Sequence, residues 1–151
     1  MEVIDPRLPN MLSRSRGSGQ YPDIKDFDVT DVEKQIGNVL ISKSELGRGS
    51  YSVVKSGYDI KSHRKVAIKV IDKGTLTNIG RLNLESELQI HQLVSSFHHP
   101  NVVELYEVVE DSYKIYMIME LANGGDLVTL IEQKGTGLLF FPVLCLVLSI
   151  E

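Results

Sequence analysis

The chain has 151 residues, 42% of them hydrophobic, and no internal repeat, which fits one compact domain with tails and excludes two domains with separate cores. Sixteen basic and twenty acidic residues give a net charge of −4, which argues against nucleic acid or an anionic membrane surface as the main partner. The single cysteine, Cys145, cannot form an internal disulfide, and no secretory signal is visible, so the cytoplasm, with the nucleus as the alternative, is the expected compartment.

The amino-terminal residues 1–35 have the composition of a tail. They contain Pro6, Pro9 and Pro22 and a run of serine, arginine and glycine over residues 13–19, without a sustained apolar period. Such a segment cannot bury enough apolar surface to offset its conformational entropy, so we expect it to be disordered. The Arg/Ser run is interpreted as part of this solvated tail, and a phosphorylation or docking site is the alternative.

Residues 36–134 are predicted to form one domain that opens with two strands around a glycine-rich turn. Leu46 precedes Gly47 and Gly49, and Val53 and Val54 follow them. Glycines let a backbone close over phosphate oxygens where a side chain would collide. The turn is therefore a candidate phosphate-covering hairpin.

A third strand is predicted over residues 66–71. Alternation in a strand directs Val66, Ile68 and Val70 to one face, and it directs Lys69 to the other face together with its neighbours Ala67 and Ile71. An ordinary lysine on a half-buried strand would keep its ammonium in water. On the strand alone that reading would be preferred, but the position of this lysine 22 residues after Gly47 favours a phosphate-binding role instead.

One helix and two further strands complete the predicted domain. Between residues 81 and 94 apolar side chains recur at helical spacing, namely Leu84, Leu88, Ile90, Leu93 and Val94. Strands four and five are expected at residues 102–109 and 115–121, separated by a turn at 110–112. Residues 123–125 end the last strand, and Asp126 can cap a following helix.

The hairpin over residues 46–54, followed by Val66-Ala67-Ile68-Lys69, resembles the small lobe of a eukaryotic protein kinase, and the resemblance extends from about residue 39 to residue 134. It implies an α+β fold in which a five-stranded antiparallel sheet carries one helix, helix C, without a large lobe. It also implies ATP as the cofactor, with Lys69 on the α- and β-phosphates. Glu87 matches the glutamate that pairs with this lysine, and it is preferred to Glu85 because Ile90 then takes the expected apolar place one turn further on.

The same resemblance assigns the remaining nucleotide contacts. Met119 is the expected gatekeeper, the backbones of Glu120 and Ala122 bond the adenine edge, and Asp126 is a ribose partner, a helix cap or both. Lys69 and Glu87 are the expected catalytic residues, and no metal ligand is assigned. The complete set of expected nucleotide-binding residues is Leu46, Gly47, Gly49, Ser50, Ser52, Val54, Ala67, Lys69, Met119, Glu120, Ala122 and Asp126.

The sequence departs from the kinase pattern at three places. Ser52 stands where a third glycine is usual, the path from Glu87 to His99 is about three residues longer than usual, and His91 replaces an apolar side chain. Close matches near residues 49–51, 54–56, 71–72 and 125–127 resemble the testis-specific serine/threonine kinases, near the calcium/calmodulin-dependent group.

Residues 135–151 match nothing in the kinase pattern. No His-Arg-Asp loop and no Asp-Phe-Gly motif follows the small lobe, so the family's catalytic aspartate and Mg²⁺ ligands are missing from the sequence. We expect a truncated or alternatively spliced product. A membrane anchor is the less favoured alternative, because the apolar run is shorter than the roughly 20 residues of a spanning helix and contains Pro142.

The expected function is therefore ATP binding by an incomplete serine/threonine kinase domain. The family reaction is ATP-dependent phosphorylation of protein serine or threonine, and we expect this chain to be inactive alone. Its expected partners are protein substrates or regulators of the full-length kinase. The alternative is a non-catalytic interaction module that competes with the full-length kinase for partners of helix C or the sheet, since a small lobe alone exposes apolar surface.

Overall fold

A computed structural model describes residues 27–125 of the chain. One antiparallel sheet in this range contains six strands in the order β1-β2-β3-β4-β6-β5. Short 3₁₀ turns at Val29–Asp31 and Lys73–Thr75 precede β1 and the helix α1. The elements are β1 (Val32–Ile36), β2 (Val39–Arg48), β3 (Ser52–Asp59), β4 (Arg64–Asp72), α1 (Asn78–Ser95), β5 (Leu105–Glu110) and β6 (Lys114–Glu120).

The expected strand count of five was wrong, because β1 adds a sixth strand, and four of its five residues lie in the range assigned to the tail. β1 pairs with β2 through a tight turn that contains Gly37, whose φ of 54° favours glycine. The preceding segment is held on β2 because the Asp31 carboxylate accepts hydrogen bonds from the Ser42 and Ser44 hydroxyls. Local pairing and polar contacts, rather than an apolar period, therefore place β1 in the sheet.

The predicted alternation of β4 is confirmed by the packing of its two faces. Val66 and Ile68 are buried in a cluster with Tyr116 and Ile118 of β6 on the face away from α1. Ile71 packs on the other face, and its cluster also includes Met117, Leu84 and the half-buried Leu88. The sheet therefore has one apolar cluster on the face away from α1 and a second cluster, shared with the helix, on the other face.

The predicted helix is confirmed and is slightly longer than the expected 81–94. It begins after Thr77, whose side chain accepts a hydrogen bond from the Gly80 amide at 3.0 Å, as an N-cap residue does. Its inner face supplies Leu84 to the core. Its outer face carries an apolar stripe, defined as Ile79, Leu82, Ile90 and Leu93 and continued by Phe97, in which every side chain is more than half exposed.

The strand expected from residue 102 begins only at Leu105. Residues 99–102 form a turn in which the Val102 amide donates to the His99 carbonyl at 3.0 Å.

Among residues 27–125 no helix is long and apolar enough to span a membrane.

Candidate functional site

The sheet register aligns the glycine hairpin with the lysine of β4. Gly47 pairs with Val54, Val54 with Lys69, and Lys69 with Met117 across four neighbouring strands. Directly paired residues direct their side chains to the same face of a sheet. Because Met117 packs against Leu84 of α1, this row lies on the face that carries the helix.

The hairpin between β2 and β3 is closed by its own backbone. The Gly49 amide donates to the Ser52 carbonyl at 2.9 Å, and Ser50 and Tyr51 form the tip. A Cβ added at Gly47 would meet no atom within 4 Å, whereas one at Gly49 would lie 3.1 Å from Ser52 Oγ. The backbone near Gly47 is therefore open to an approaching group.

Lys69 and Glu87 form the ion pair that the sequence predicted. Lys69 Nζ lies 2.5 Å from Glu87 Oε1, and the two side chains are 22% and 23% exposed. Glu85 is exposed and makes no ion pair within the described residues. The Glu87 carboxylate thus holds the Lys69 ammonium in a partly buried position on the face that carries α1, where the ammonium remains accessible to a second anion.

The other expected contacts lie in the neighbouring row and at the end of β6. Ala67 is buried and pairs with Met119, one row from Lys69. The Glu120 amide donates to the Glu104 carbonyl at 2.8 Å, while the Ala122 amide has no hydrogen-bond partner within residues 27–125. Asp126 lies outside the described residues.

Leu46, at the end of β2, is about half exposed beside the hairpin. Val54 and Ala67 supply apolar surface next to the ammonium of Lys69, because Val54 is its cross-strand partner and Ala67 lies two residues before it on the same face of β4. The sheet register therefore brings Gly47, Val54, Ala67 and Lys69 to the face that carries α1. Gly49, Ser50 and Ser52 instead line a cavity with Val70 and Tyr116 on the opposite face.

Two polar residues of α1 contribute to this region without having been assigned a role from the sequence. His91 Nε2 lies 2.9 Å from the Val103 carbonyl oxygen, and the buried Ser95 accepts from the Leu105 amide at 2.9 Å. In the sequence His91 is distinguished only as a departure from an apolar position. Ser95 had no sequence signal, because a serine near the end of a helix is ordinary.

The chain matches the protein kinase domain family over residues 40–139, which is more than half of its length. The SNF-related serine/threonine-protein kinase of Rattus norvegicus is 42% identical over 93 residues, which are 62% of this chain and 12% of that protein. Probable serine/threonine-protein kinase MARK-A of Dictyostelium discoideum is 42% identical over 101 residues, which are 66% of this chain and 9% of that protein.

A solved structure shows the same fold. The crystal structure of Rad53 residues 1–466 in complex with AMP-PNP has a TM-score of 0.58 and 28% identity to this chain, and the match covers 65% of this chain and 25% of that one. The present chain thus corresponds to a small part of each of these proteins.

The chain belongs to the protein kinase domain family, and its described residues form the α+β small lobe of that fold. The relatives above are serine/threonine kinases, as the sequence predicted. Assignment to the testis-specific branch stays a prediction.

Proposed function

We propose that the chain binds ATP on the face of the sheet that carries α1, and that the chain alone does not transfer a phosphoryl group. The observation that carries the proposal is the Lys69–Glu87 pair at 2.5 Å, on the face and in the row of Gly47 and Val54. An anchored ammonium beside an open backbone suits phosphate oxygens, which are anionic and accept hydrogen bonds.

ATP fits the residues present. Gly47 leaves room for phosphate against the backbone, and Val54 and Ala67 provide apolar surface for the base. The Ala122 amide, which has no hydrogen-bond partner among residues 27–125, can donate to the edge of the base. When bound, ATP would supply the transferable phosphoryl group. Within residues 27–125 no three side chains of the His, Cys, Asp and Glu types lie together where they could hold a metal ion, so no residue of this range is assigned to Mg²⁺.

Titration of ATP into the ¹⁵N-labelled 151-residue chain tests the binding claim. We expect amide shifts between residues 47 and 69. Lys69→Met should weaken affinity by about tenfold or more, since a hydrogen bond to a charged group contributes about 1.5–3 kcal/mol. Lys65→Met is the matched control, because Lys65 is an exposed lysine of the same strand and should leave affinity unchanged. Absence of shifts in the unmodified chain would refute ATP binding.

A phosphotransfer assay tests the second claim. The 151 residues contain no His-Arg-Asp loop and no Asp-Phe-Gly motif, so no aspartate accepts the substrate hydroxyl proton in the family's manner. We expect no incorporation of γ-phosphate into generic protein substrates with Mg²⁺ present. Turnover above that of the Lys69→Met variant would refute the claim.

A non-catalytic role is favoured by one specific observation, the exposed apolar stripe of α1. Patches of this kind recruit partners, so a second candidate function is competition with the full-length kinase for a regulator that contacts helix C. Paired charges at Leu82→Glu and Leu93→Glu should abolish binding of a purified regulator, whereas removal of residues 135–151 should not. Binding that requires residues 135–151 instead would contradict this role.

A further inference from the structure

Glu87, His91 and Ser95 recur at every fourth position of α1. Residues at this spacing lie above one another on one helix face. They form a polar row along the inner edge of the helix, and each member contacts the sheet side of the molecule. Glu87 bonds Lys69 as described, and it is the member nearest to the glycine hairpin.

The other two members bond to backbone atoms. His91 Nε2 lies 2.9 Å from the Val103 carbonyl, which can only accept, so this nitrogen carries a proton and donates it. Ser95 Oγ accepts from the Leu105 amide at 2.9 Å. Val103 lies two residues before β5, and Leu105 is the first residue of β5 and pairs with Met119 of β6. Hydrogen bonds to such fixed atoms are directional and define the rotation of α1 about its axis.

Apolar packing alone defines that rotation poorly. Leu84 is the single buried apolar residue of α1, while the outer stripe presents Leu82 and Leu93 on the opposite side. Leu88 beside Leu84 is half-buried, whereas the stripe offers several apolar side chains of similar size, so apolar burial alone discriminates weakly between the observed rotation and one that buries the stripe. A helix in the second rotation could not, however, satisfy the Val103 carbonyl and the Leu105 amide, so the polar row distinguishes the observed rotation from the alternative.

We propose that His91 and Ser95 are positioning residues that hold Glu87 against Lys69 by fixing the rotation of α1. His91 does this through a donated hydrogen bond, at a position where an apolar side chain is usual in kinases. The functional meaning of the row depends on the ATP-binding role proposed for Lys69, but the geometry that it fixes does not.

The Lys69 ammonium reports the effect directly. The experiment uses the full chain with ¹⁵N,¹³C-labelled lysine, without ATP, and records the NMR signal of the Lys69 Nζ group. The Lys69→Met variant assigns this signal by its loss. The Glu87→Gln variant gives the chemical shift of the ammonium without its ion pair. His91→Leu, which keeps the bulk and removes the donor, should move the signal to the unpaired position. His91→Gln, whose amide can donate to Val103, should leave it near the original position. Gln89→Leu, on the exposed side of α1, is the matched control and should have no effect.

An unchanged Lys69 signal in His91→Leu would overturn the proposal, and so would a Gln variant that behaves like the Leu variant. If His91→Leu loses its helical circular dichroism, Ser95→Ala provides the same test, with a shift of the signal expected and no shift contradicting the proposal. Affinity for ATP should fall about two- to tenfold in His91→Leu, the range of one net hydrogen bond. Because the ammonium signal is read without ATP, failure of ATP binding in the unmodified chain refutes the proposed function separately.

Discussion

Gly57 in β3 is predicted to tolerate no side chain, for a reason that lies in its neighbours. A Cβ at this position would lie 2.3 Å from Ile68 Cδ1 and 2.5 Å from the Leu40 carbonyl oxygen. Carbon atoms in contact normally lie about 3.5–4.0 Å apart, so a methyl group would intrude by more than about 1 Å. The tip of Ile68 can move, but the oxygen of Leu40 belongs to β2, which is paired with β3 on either side of the contact.

We therefore expect Gly57→Ala to lower the free energy of unfolding by about 1–3 kcal/mol, the usual cost of overpacking a core. The reduced entropy of the unfolded chain offsets only about 0.4–1 kcal/mol of the strain. Gly47→Ala is the matched control, since its methyl group would meet nothing within 4 Å. That substitution should leave stability unchanged or slightly raised, while it weakens ATP binding if the backbone of the hairpin approaches phosphate.

Equilibrium urea unfolding of both variants, with the slope of the transition checked for two-state behaviour, measures these differences. Adding Ile68→Val to Gly57→Ala removes the nearer of the two clashing atoms and should restore only part of the loss, because the Leu40 oxygen remains. An unchanged midpoint in Gly57→Ala would refute the steric argument. Full recovery in the double variant would show that the backbone of β2 is not the constraint.

Two further predictions concern a helix cap and a turn. Thr77→Ala should lower the free energy of unfolding by about 1 kcal/mol through loss of the cap on the Gly80 amide, whereas Thr77→Ser should not, as urea unfolding would show. The Tyr113 amide, with the Lys114 amide, holds the pKa of the Asp111 carboxyl well below its usual value. A carboxyl whose pKa is lower in the folded state than its value near 3.8 in the unfolded chain stabilises the fold above that pH, and this stabilisation is lost as the pH falls. The urea midpoint of Asp111→Asn should therefore fall less between pH 5 and about pH 2 than the midpoint of the unmodified chain.

The features that the sequence predicted correctly are those carried by short, periodic patterns. Alternation around Lys69 correctly assigns the two faces of β4, and the helical period of Leu84 and Leu88 correctly locates α1. Glu87, rather than Glu85, forms the ion pair with Lys69, although Ile90, on which that choice partly depended, lies in the exposed stripe of α1. The catalytic role of the pair stays a prediction. These features require only that each residue lies on the correct face of its own element.

The features that were missed depend on a neighbour that the local sequence does not identify. β1 is a short strand of mixed polarity that is stabilised by pairing with β2, so no apolar period marks it. Gly57 must be glycine because Ile68 and Leu40 approach it from two different strands. Likewise, Ser95 has a role only because the fold brings the Leu105 amide within hydrogen-bond distance of its hydroxyl. Each of these features depends on a tertiary contact, which a pattern of neighbouring residues in the sequence does not reveal.

In this lobe the strands contribute most of the fully buried apolar side chains, whereas the Lys69–Glu87 pair depends on the position of α1. The sheet contributes almost fully buried side chains on both faces, around Ile68 and Tyr116 on the face away from α1 and at Ile71 and Met117 beneath the helix. The helix adds little buried apolar surface of its own, since Leu84 is its single buried apolar residue. Local opening is easiest where few apolar contacts are lost, so α1 should loosen before the sheet does. Lys69 belongs to the stable element and Glu87 to the weaker one, and the distance between them therefore reports whether the helix is seated.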